Sequence, residues 1–263
     1  MSAVGYGVVL EQKQLAENIF CLLLESEAAR SAVPGQFVNL YMSDQAHLLP
    51  RPISVCNAQD EVLTLVYRVA GEGTAWLSGL RPKDSVRILG PLGNGYALEQ
   101  MAGFGRVAVI GGGLGIPPML YLAKELSKRA CDPEVILGYR DQSFLLEEFQ
   151  NLSNETRQIP VHIASDAGTI GVHGTVLDVL DTETINPSVV CACGPLPMLR
   201  ALKAYCGQRS IPLFVSLEER MACGVGACLG CVCETADVDE HSCVHNRRVC
   251  KDGPVFAAEE VIL

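Results

Sequence analysis

The chain has 263 residues, 49% of them apolar, and a formal net charge of −10. That length holds two ordinary domains with a small module besides, and the acidic balance argues against nucleic acid as a partner. No apolar run approaches the ~18 residues that cross a bilayer, so no membrane partner is expected. The N-terminal segment lacks the basic start and apolar stretch of an export signal, so a cytoplasmic location is expected. Twelve cysteines in such a chain point to a metal cluster and buried thiols rather than to disulfides.

Residues 1–100 carry short apolar or alternating runs with turn residues between them. The runs are Tyr6–Leu10, Ile19–Glu25, Gln36–Met42, Arg51–Cys56, Val62–Val69 and Ser85–Gly90. Their spacing predicts an antiparallel β-barrel, with turns at Pro34-Gly35, Gly71–Gly73 and Gly90–Gly93. One short helix is expected from Gly73 to Leu80, opening at Thr74. Three pieces invite a chemical reading. Arg51-Pro52-Ile53-Ser54 places a guanidinium and a hydroxyl around a rigid proline. Val66-Tyr67-Arg68 places a ring and a second guanidinium at a strand end. Gly73-Thr74 opens a helix, whose free N–H groups suit a phosphate. Arginine matches phosphate by paired hydrogen bonds. Taken singly, each piece is an ordinary surface feature.

Together the three pieces resemble the flavin domain of the ferredoxin–NADP reductase superfamily, in which an R-x-x-S motif contacts flavin and pyrophosphate. The resemblance implies bound FAD. Arg51, Pro52, Ile53 and Ser54 would be the first contact segment, Val66, Tyr67 and Arg68 the second, and Gly73 and Thr74 the third.

Residues 101–217 change to alternating strand and helix. Strands are expected at Arg106–Ile110, Glu134–Tyr139, Val161–Ser165, Val189–Cys193 and Leu213–Leu217. Helices are expected at Pro117–Ala130, Leu145–Asn151, Thr175–Leu180 and Leu196–Gln208. This is the pattern of a doubly wound parallel sheet, which binds ligands beyond its strand C-termini. The first strand runs into Gly111-Gly112-Gly113-Leu114-Gly115. Gly111, Gly113 and Gly115 would let backbone approach a pyrophosphate, although Ile116 and Pro117 stand where a last glycine is usual. Cys193-Gly194-Pro195 follows the fourth strand and resembles the segment that lies beside the nicotinamide in the reductase superfamily. Gly138-Tyr139-Arg140 would lie near the adenosine ribose. Asp141 suits a ribose 2′-hydroxyl and Arg140 a 2′-phosphate, so these residues leave NAD and NADP open. His173 receives no role, and no residue is assigned as catalytic, because hydride transfer to a flavin needs no protein acid.

Residues 218–263 hold the densest chemistry. Cys223, Cys228 and Cys231 form C-x4-C-x2-C, and a fourth thiolate follows at Cys243 or Cys250. One tight triplet with one distant cysteine is the spacing of plant-type [2Fe–2S] sites. A structural zinc site would show two separated pairs instead. Gly224, Gly226 and Gly230 allow the loop to wrap closely. Cys233, in strand context, is expected to point away.

The whole order is a β-barrel flavin domain (1–100), an α/β nucleotide-binding domain (101–217) and a small C-terminal [2Fe–2S] module (218–263). It resembles the electron-transfer subunits of type B dihydroorotate dehydrogenases. The most specific shared stretches are Glu219–Cys228 and Cys250–Phe256. The longer interval between Cys231 and Cys250, which includes 237–239 and Cys243, departs from that family. The resemblance implies Cys250 as the fourth ligand and NAD as the pyridine nucleotide. It also implies an FMN-containing catalytic partner, in a heterotetramer of two catalytic and two electron-transfer subunits. Related small subunits of NADH-dependent ferredoxin–NADP oxidoreductases and sulfide dehydrogenases are the alternative, but they replace one cysteine by aspartate. A non-catalytic zinc scaffold is the alternative from another class.

Overall fold

The computed structural model describes residues 3–43, 48–182, 185–238 and 243–263. Contacts divide the chain into two compact units. The first comprises Met1–Gly95, Glu218–Cys233 and Arg247–Pro254; the second comprises Tyr96–Leu217, Glu234–Asn246 and Val255–Leu263. The C-terminal stretch is thus shared between them.

The first unit is built on six strands: β1 (Ala3–Ala16), β2 (Ile19–Glu25), β3 (Phe37–Tyr41), β4 (Arg51–Gln59), β5 (Val62–Arg68) and β6 (Ser85–Leu92). They close into an antiparallel barrel in the order β1-β2-β5-β4-β3-β6. Closure leaves no open edge, and alternate residues fill the interior. Leu22, Leu24, Val38, Leu40, Val55, Leu63, Leu65 and Ile88 are all buried there. β3 is buried along both faces, unlike the other strands. Its neighbours explain this: Asn39 bonds the Cys223 carbonyl, and Gly93 lies against both Phe37 and the Gly253-Pro254 turn. The returning C-terminal segments therefore cover β3.

The α-helix of this unit, α1 (Glu72–Ser78), starts earlier than the sequence suggests. The Thr74 hydroxyl accepts from the N–H groups of Ala70 and Gly71 and closes the preceding turn, which makes Gly71 the cap. Gly79 then ends the helix.

The second unit opens with α2 (Leu98–Gly103), too short for its period to be read in sequence. β7 (Arg106–Gly112), α3 (Ile116–Ser127), β8 (Asp132–Tyr139), α4 (Leu146–Gln150), β9 (Val161–Ser165), β10 (Val172–His173), α5 (Val176–Thr182), β11 (Val189–Cys193), α6 (Leu196–Arg209) and β12 (Leu213–Ser216) follow. A two-stranded ribbon, β13 (Val232–Glu234) with β14 (Asn246–Arg248), whose residues are divided between the two units, precedes the last strand in the chain, β15 (Val255–Ala257). The sheet order is β10-β9-β8-β7-β11-β12-β15, parallel except for β15 at its edge. α3 packs on β7 and β8, α5 on β8 and β9, and α6 on β11 and β12. Helix cover explains why β7 and β11 are almost continuously apolar and buried. Strand order reverses between β7 and β11, so their C-terminal ends form the switch point where such sheets take ligands. α3 stops at Ser127 instead of Ala130, because the chain must turn within 128–131 to enter β8.

Among the described residues no helix is long and apolar enough to cross a membrane. None of the twelve cysteines is in a disulfide.

Leu65 is wholly buried in the barrel. Leu65→Ala is expected to destabilise the protein by about 2–5 kcal/mol through lost contacts and the cavity left behind. Urea denaturation followed by circular dichroism reads this directly; a loss below about 1 kcal/mol would contradict the packing described.

Candidate functional site

The richest chemistry lies where residues 221–231 meet residues 248–254 in the first unit. The loop takes its shape from two glycines in the left-handed region, Gly224 (φ +69°) and Gly226 (φ +82°). Both also need their missing Cβ. A methyl at Gly224 would overlap the Asn39 amide, and one at Gly226 would meet the Lys251 side chain at 2.7 Å. So wound, the loop turns its amides toward sulfur. Val225 and Ala227 N–H donate to Cys223 Sγ at 3.4 and 3.3 Å. Gly226 N–H donates to Cys250 Sγ at 3.1 Å, and Gly230 N–H to Cys228 Sγ at 3.4 Å. Cys250 N–H donates to Cys231 Sγ at 3.4 Å, while Val249 N–H bonds the Cys231 carbonyl at 2.9 Å.

The thiols interact in two pairs, Cys223 with Cys228 and Cys231 with Cys250. Partial burial opposes ionisation of Cys223, but the N–H groups of Val225, Cys228 and Ala227 and the Cys228 thiol outweigh it. The thiol comes down to about 6. Cys250 is pushed up to about 12, by burial first and then by the Cys231 thiol beside it. Among the described residues, no three His, Cys, Asp or Glu side chains are grouped as ligands of one metal ion. Two pairs, with N–H donors converging on sulfur, fit the needs of a two-iron cluster, where each iron takes two thiolates. Cys243 is exposed, with φ +56°, and Asp239 lies outside the described residues. Cys233 sits in β13 with its thiol on the Arg247 carbonyl at 3.5 Å.

The returning segment is clamped to this loop. Arg248 pairs with Asp252 at 2.9 Å and reaches the Gly226 carbonyl at 3.3 Å. Asn94 donates to the carbonyls of Lys251 and Asp252 at 3.0 and 3.1 Å. On the other side Asn39 Nδ2 donates to the Cys223 carbonyl at 3.2 Å, while its buried Oδ1 has no partner among the described residues. Sequence reasoning missed Asn39, since an asparagine within an apolar strand gives no periodic signal. The polar interruption itself, in Phe37-Val38-Asn39-Leu40, was the available clue.

The segments expected at the flavin lie at one end of the barrel. β4 and β5 are antiparallel neighbours, so the start of β4 at Arg51 and the end of β5 at Arg68 share that end. The Arg51 guanidinium lies directly on Gly73, where a methyl group would overlap it. Arg51 also donates to the Leu49 and Pro50 carbonyls at 2.9 and 3.3 Å, which fixes its direction. Pro52, Ile53 and Ser54 pair with Asn39, Val38 and Phe37 of β3. Val66 and Tyr67 are buried, and Arg68 is exposed. The Tyr67 hydroxyl meets Gln12 Oε1 at 3.3 Å, its ring stacks on Phe20, and burial raises its pKa. Arg51, Gly73 and Thr74 are thus together, and Tyr67 is held from the β1–β2 side.

In the second unit the glycines after β7 do different jobs. A Cβ at Gly111 would meet Ile116 Cα at 2.9 Å, and one at Gly115 would overlap the Cys193 carbonyl. Gly112 and Gly194 both close on Met198. Gly113, at φ +53°, has open space where its Cβ would be. The turn therefore packs against Cys193-Gly194-Pro195 at the switch point, with Gly113 as its open position. The Cys193 side chain is buried, whereas Pro195 is exposed. Tyr96, which sequence reasoning missed, is buried nearby with its hydroxyl 3.4 Å from the Ala192 carbonyl. Arg140 and Asp141 are exposed just past β8. His173 is exposed and lies against Gly168.

Solved structures share this architecture. The structure described as the NADH-dependent reduced ferredoxin–NADP oxidoreductase superposes at a TM-score of 0.81. It is 25% identical, covering 100% of this chain and 91% of that one. The ferredoxin reductase in carbazole 1,9a-dioxygenase superposes at 0.66, covering 80% of this chain and 67% of that one, at 18% identity. Barrel, doubly wound sheet and four-cysteine loop together define an oxidoreductase electron-transfer component of flavin and iron–sulfur type.

Residues 218–262 match the iron–sulfur cluster binding domain of dihydroorotate dehydrogenase B. The chain is 40% identical over 261 residues to the dihydroorotate dehydrogenase B (NAD(+)) electron transfer subunit of Bacillus caldolyticus, covering 97% of each. It is 38% identical over 265 residues to that of Shouchella clausii (strain KSM-K16), covering 98% of each. The chain belongs to the family of dihydroorotate dehydrogenase B electron transfer subunits. The cofactors of this family and fold are FAD and an iron–sulfur cluster, with NAD as the pyridine nucleotide.

Cys250→Ala is expected to abolish the iron–sulfur absorbance of the purified protein, and Cys243→Ala to leave it intact. The reverse result would assign the fourth ligand to Cys243.

Proposed function

We propose that this chain relays electrons from a catalytic subunit that oxidises dihydroorotate to orotate on FMN, and delivers them to NAD+. When bound, the [2Fe–2S] cluster supplies one-electron transfer, and FAD supplies conversion between single electrons and the hydride that NAD+ takes. Cys223, Cys228, Cys231 and Cys250 hold the cluster, and the amides of Val225, Gly226, Ala227 and Gly230 tune its potential. Arg51, with Gly73 and Thr74, binds the FAD pyrophosphate; Pro52, Ile53, Ser54, Val66, Tyr67 and Arg68 complete the flavin contact. Gly113, with Gly111 and Gly115 behind it, receives the NAD pyrophosphate, and Cys193, Gly194 and Pro195 line the nicotinamide. Asp141 accepts from the ribose 2′-hydroxyl, with Arg140 beside it. The assembly is a heterotetramer of two catalytic and two electron-transfer subunits in the cytoplasm.

The observation that carries this reading is the pairing of four thiols beneath an uncharged rim. Residues 222–230 carry no charged side chain, and Val225 and Leu229 are 45% and 60% exposed. Depletion of charge marks the core of an interface, and an electron carrier must present its cluster to its partner.

The chain alone is expected to oxidise NADH with an artificial dye and to show no dihydroorotate-dependent NAD+ reduction until the FMN-bearing subunit is added. Leu229→Glu is expected to weaken assembly with that subunit far more than dye reduction. Dihydroorotate turnover by this chain alone would overturn the relay, and equal turnover with NADP+ would overturn the choice of nucleotide.

Heat extraction is expected to release FAD, and Arg51→Ala to lower flavin retention by removing charge-assisted hydrogen bonds to phosphate. Release of FMN alone would contradict the dinucleotide reading.

A further inference from the structure

We propose that Asn39 is a positioning residue for the cluster, coupling the strand beside the flavin segment to the first cluster ligand. The proposal rests on the reading of Cys223 as that ligand. Asn39 is fully buried in the middle of β3 and pairs with Pro52 of the flavin segment across the ladder. Its Nδ2 donates to the Cys223 carbonyl at 3.2 Å. Gly224, the next residue, is in the left-handed region and has no room for a Cβ against that same amide. Asn39 and Gly224 are therefore shaped to each other, and the contact fixes the 223–224 peptide plane.

That plane sets where the following amides point. Val225 and Ala227 N–H both converge on Cys223 Sγ. Donors to a cluster sulfur stabilise the more negative, reduced form and so raise the reduction potential. A side chain that only filled space at this position would be better apolar. The Oδ1 of Asn39 has no partner among the described residues, and a buried unpartnered acceptor costs stability. Asparagine is thus unfavourable to the barrel on this count, and its Nδ2–H to the Cys223 carbonyl is what it contributes.

The test replaces Asn39 with Leu, which has the same branched four-atom skeleton but no amide, in the full-length protein loaded with FAD and cluster. The potential is read by redox titration monitored by EPR, with thermal stability and FAD content measured on the same samples. The expected result is a cluster midpoint shifted negative, by up to about tenfold in the one-electron equilibrium or about 59 mV, with stability and FAD retained. Asn39→Thr, a strand-favouring residue whose hydroxyl stops short of the carbonyl, is expected to shift it the same way. An unmoved or raised midpoint in a cluster-bearing variant would overturn the proposal. So would failure of both variants to yield folded protein, since the residue would then serve the barrel itself. Cys223→Ser separates the two readings: an unchanged cluster spectrum in that variant would remove Cys223 as a ligand, whatever Asn39 does.

Discussion

The site depends on backbone amides aimed at sulfur. Thiolates gathered in one place repel each other, and each is costly to bury without donors. Here N–H groups from 225–230 and 250 reach the four sulfurs. They do so only because Gly224 and Gly226 take backbone angles that residues with a side chain rarely adopt. The low value of Cys223, held down by its donors despite partial burial, and the raised value of Cys250 beside Cys231 are consequences of that arrangement.

The barrel supplies the rigid side of the same site. β3 contributes Asn39, and the turn after β6 contributes Asn94. Both side chains bond main-chain carbonyls of the cysteine-bearing segments, not their side chains. Such bonds hold a loop's path while leaving its sulfurs free. The antiparallel pairing of β4 and β5 independently sets Arg51 and Arg68 at one barrel end, near the start of α1. In the second unit, tight packing of Gly115 on the Cys193 carbonyl fixes the switch point where β7 and β11 end.

Much of this was legible in the sequence, for identifiable reasons. All six barrel strands and the five long strands of the sheet announce themselves through alternation or continuous apolar runs bounded by turn residues. The cysteine triplet is local, so its spacing carries its geometry. What sequence could not show is long-range. Neither Asn39 nor Asn94 sits near the cysteines in the chain, and their roles arise only from folding. β15 is three residues long and is a strand because β12 offers it an edge. The start of α1 at Glu72 is set by the Thr74 hydroxyl turning back on Gly71, a capping detail that the Gly-Thr pair alone does not fix. That Gly111 and Gly115 also have no room for a side chain, because Ile116 and Cys193 press against them, is likewise visible only in the fold.

The central claim is that the four paired cysteines hold one two-iron cluster. The most direct measurement is iron and acid-labile sulfide per chain on the purified protein, with EPR after chemical reduction. The expected result is the iron and sulfide of one [2Fe–2S] cluster per chain, with a signal from a single unpaired electron. Bound zinc without sulfide, or iron without a signal on reduction, would contradict it.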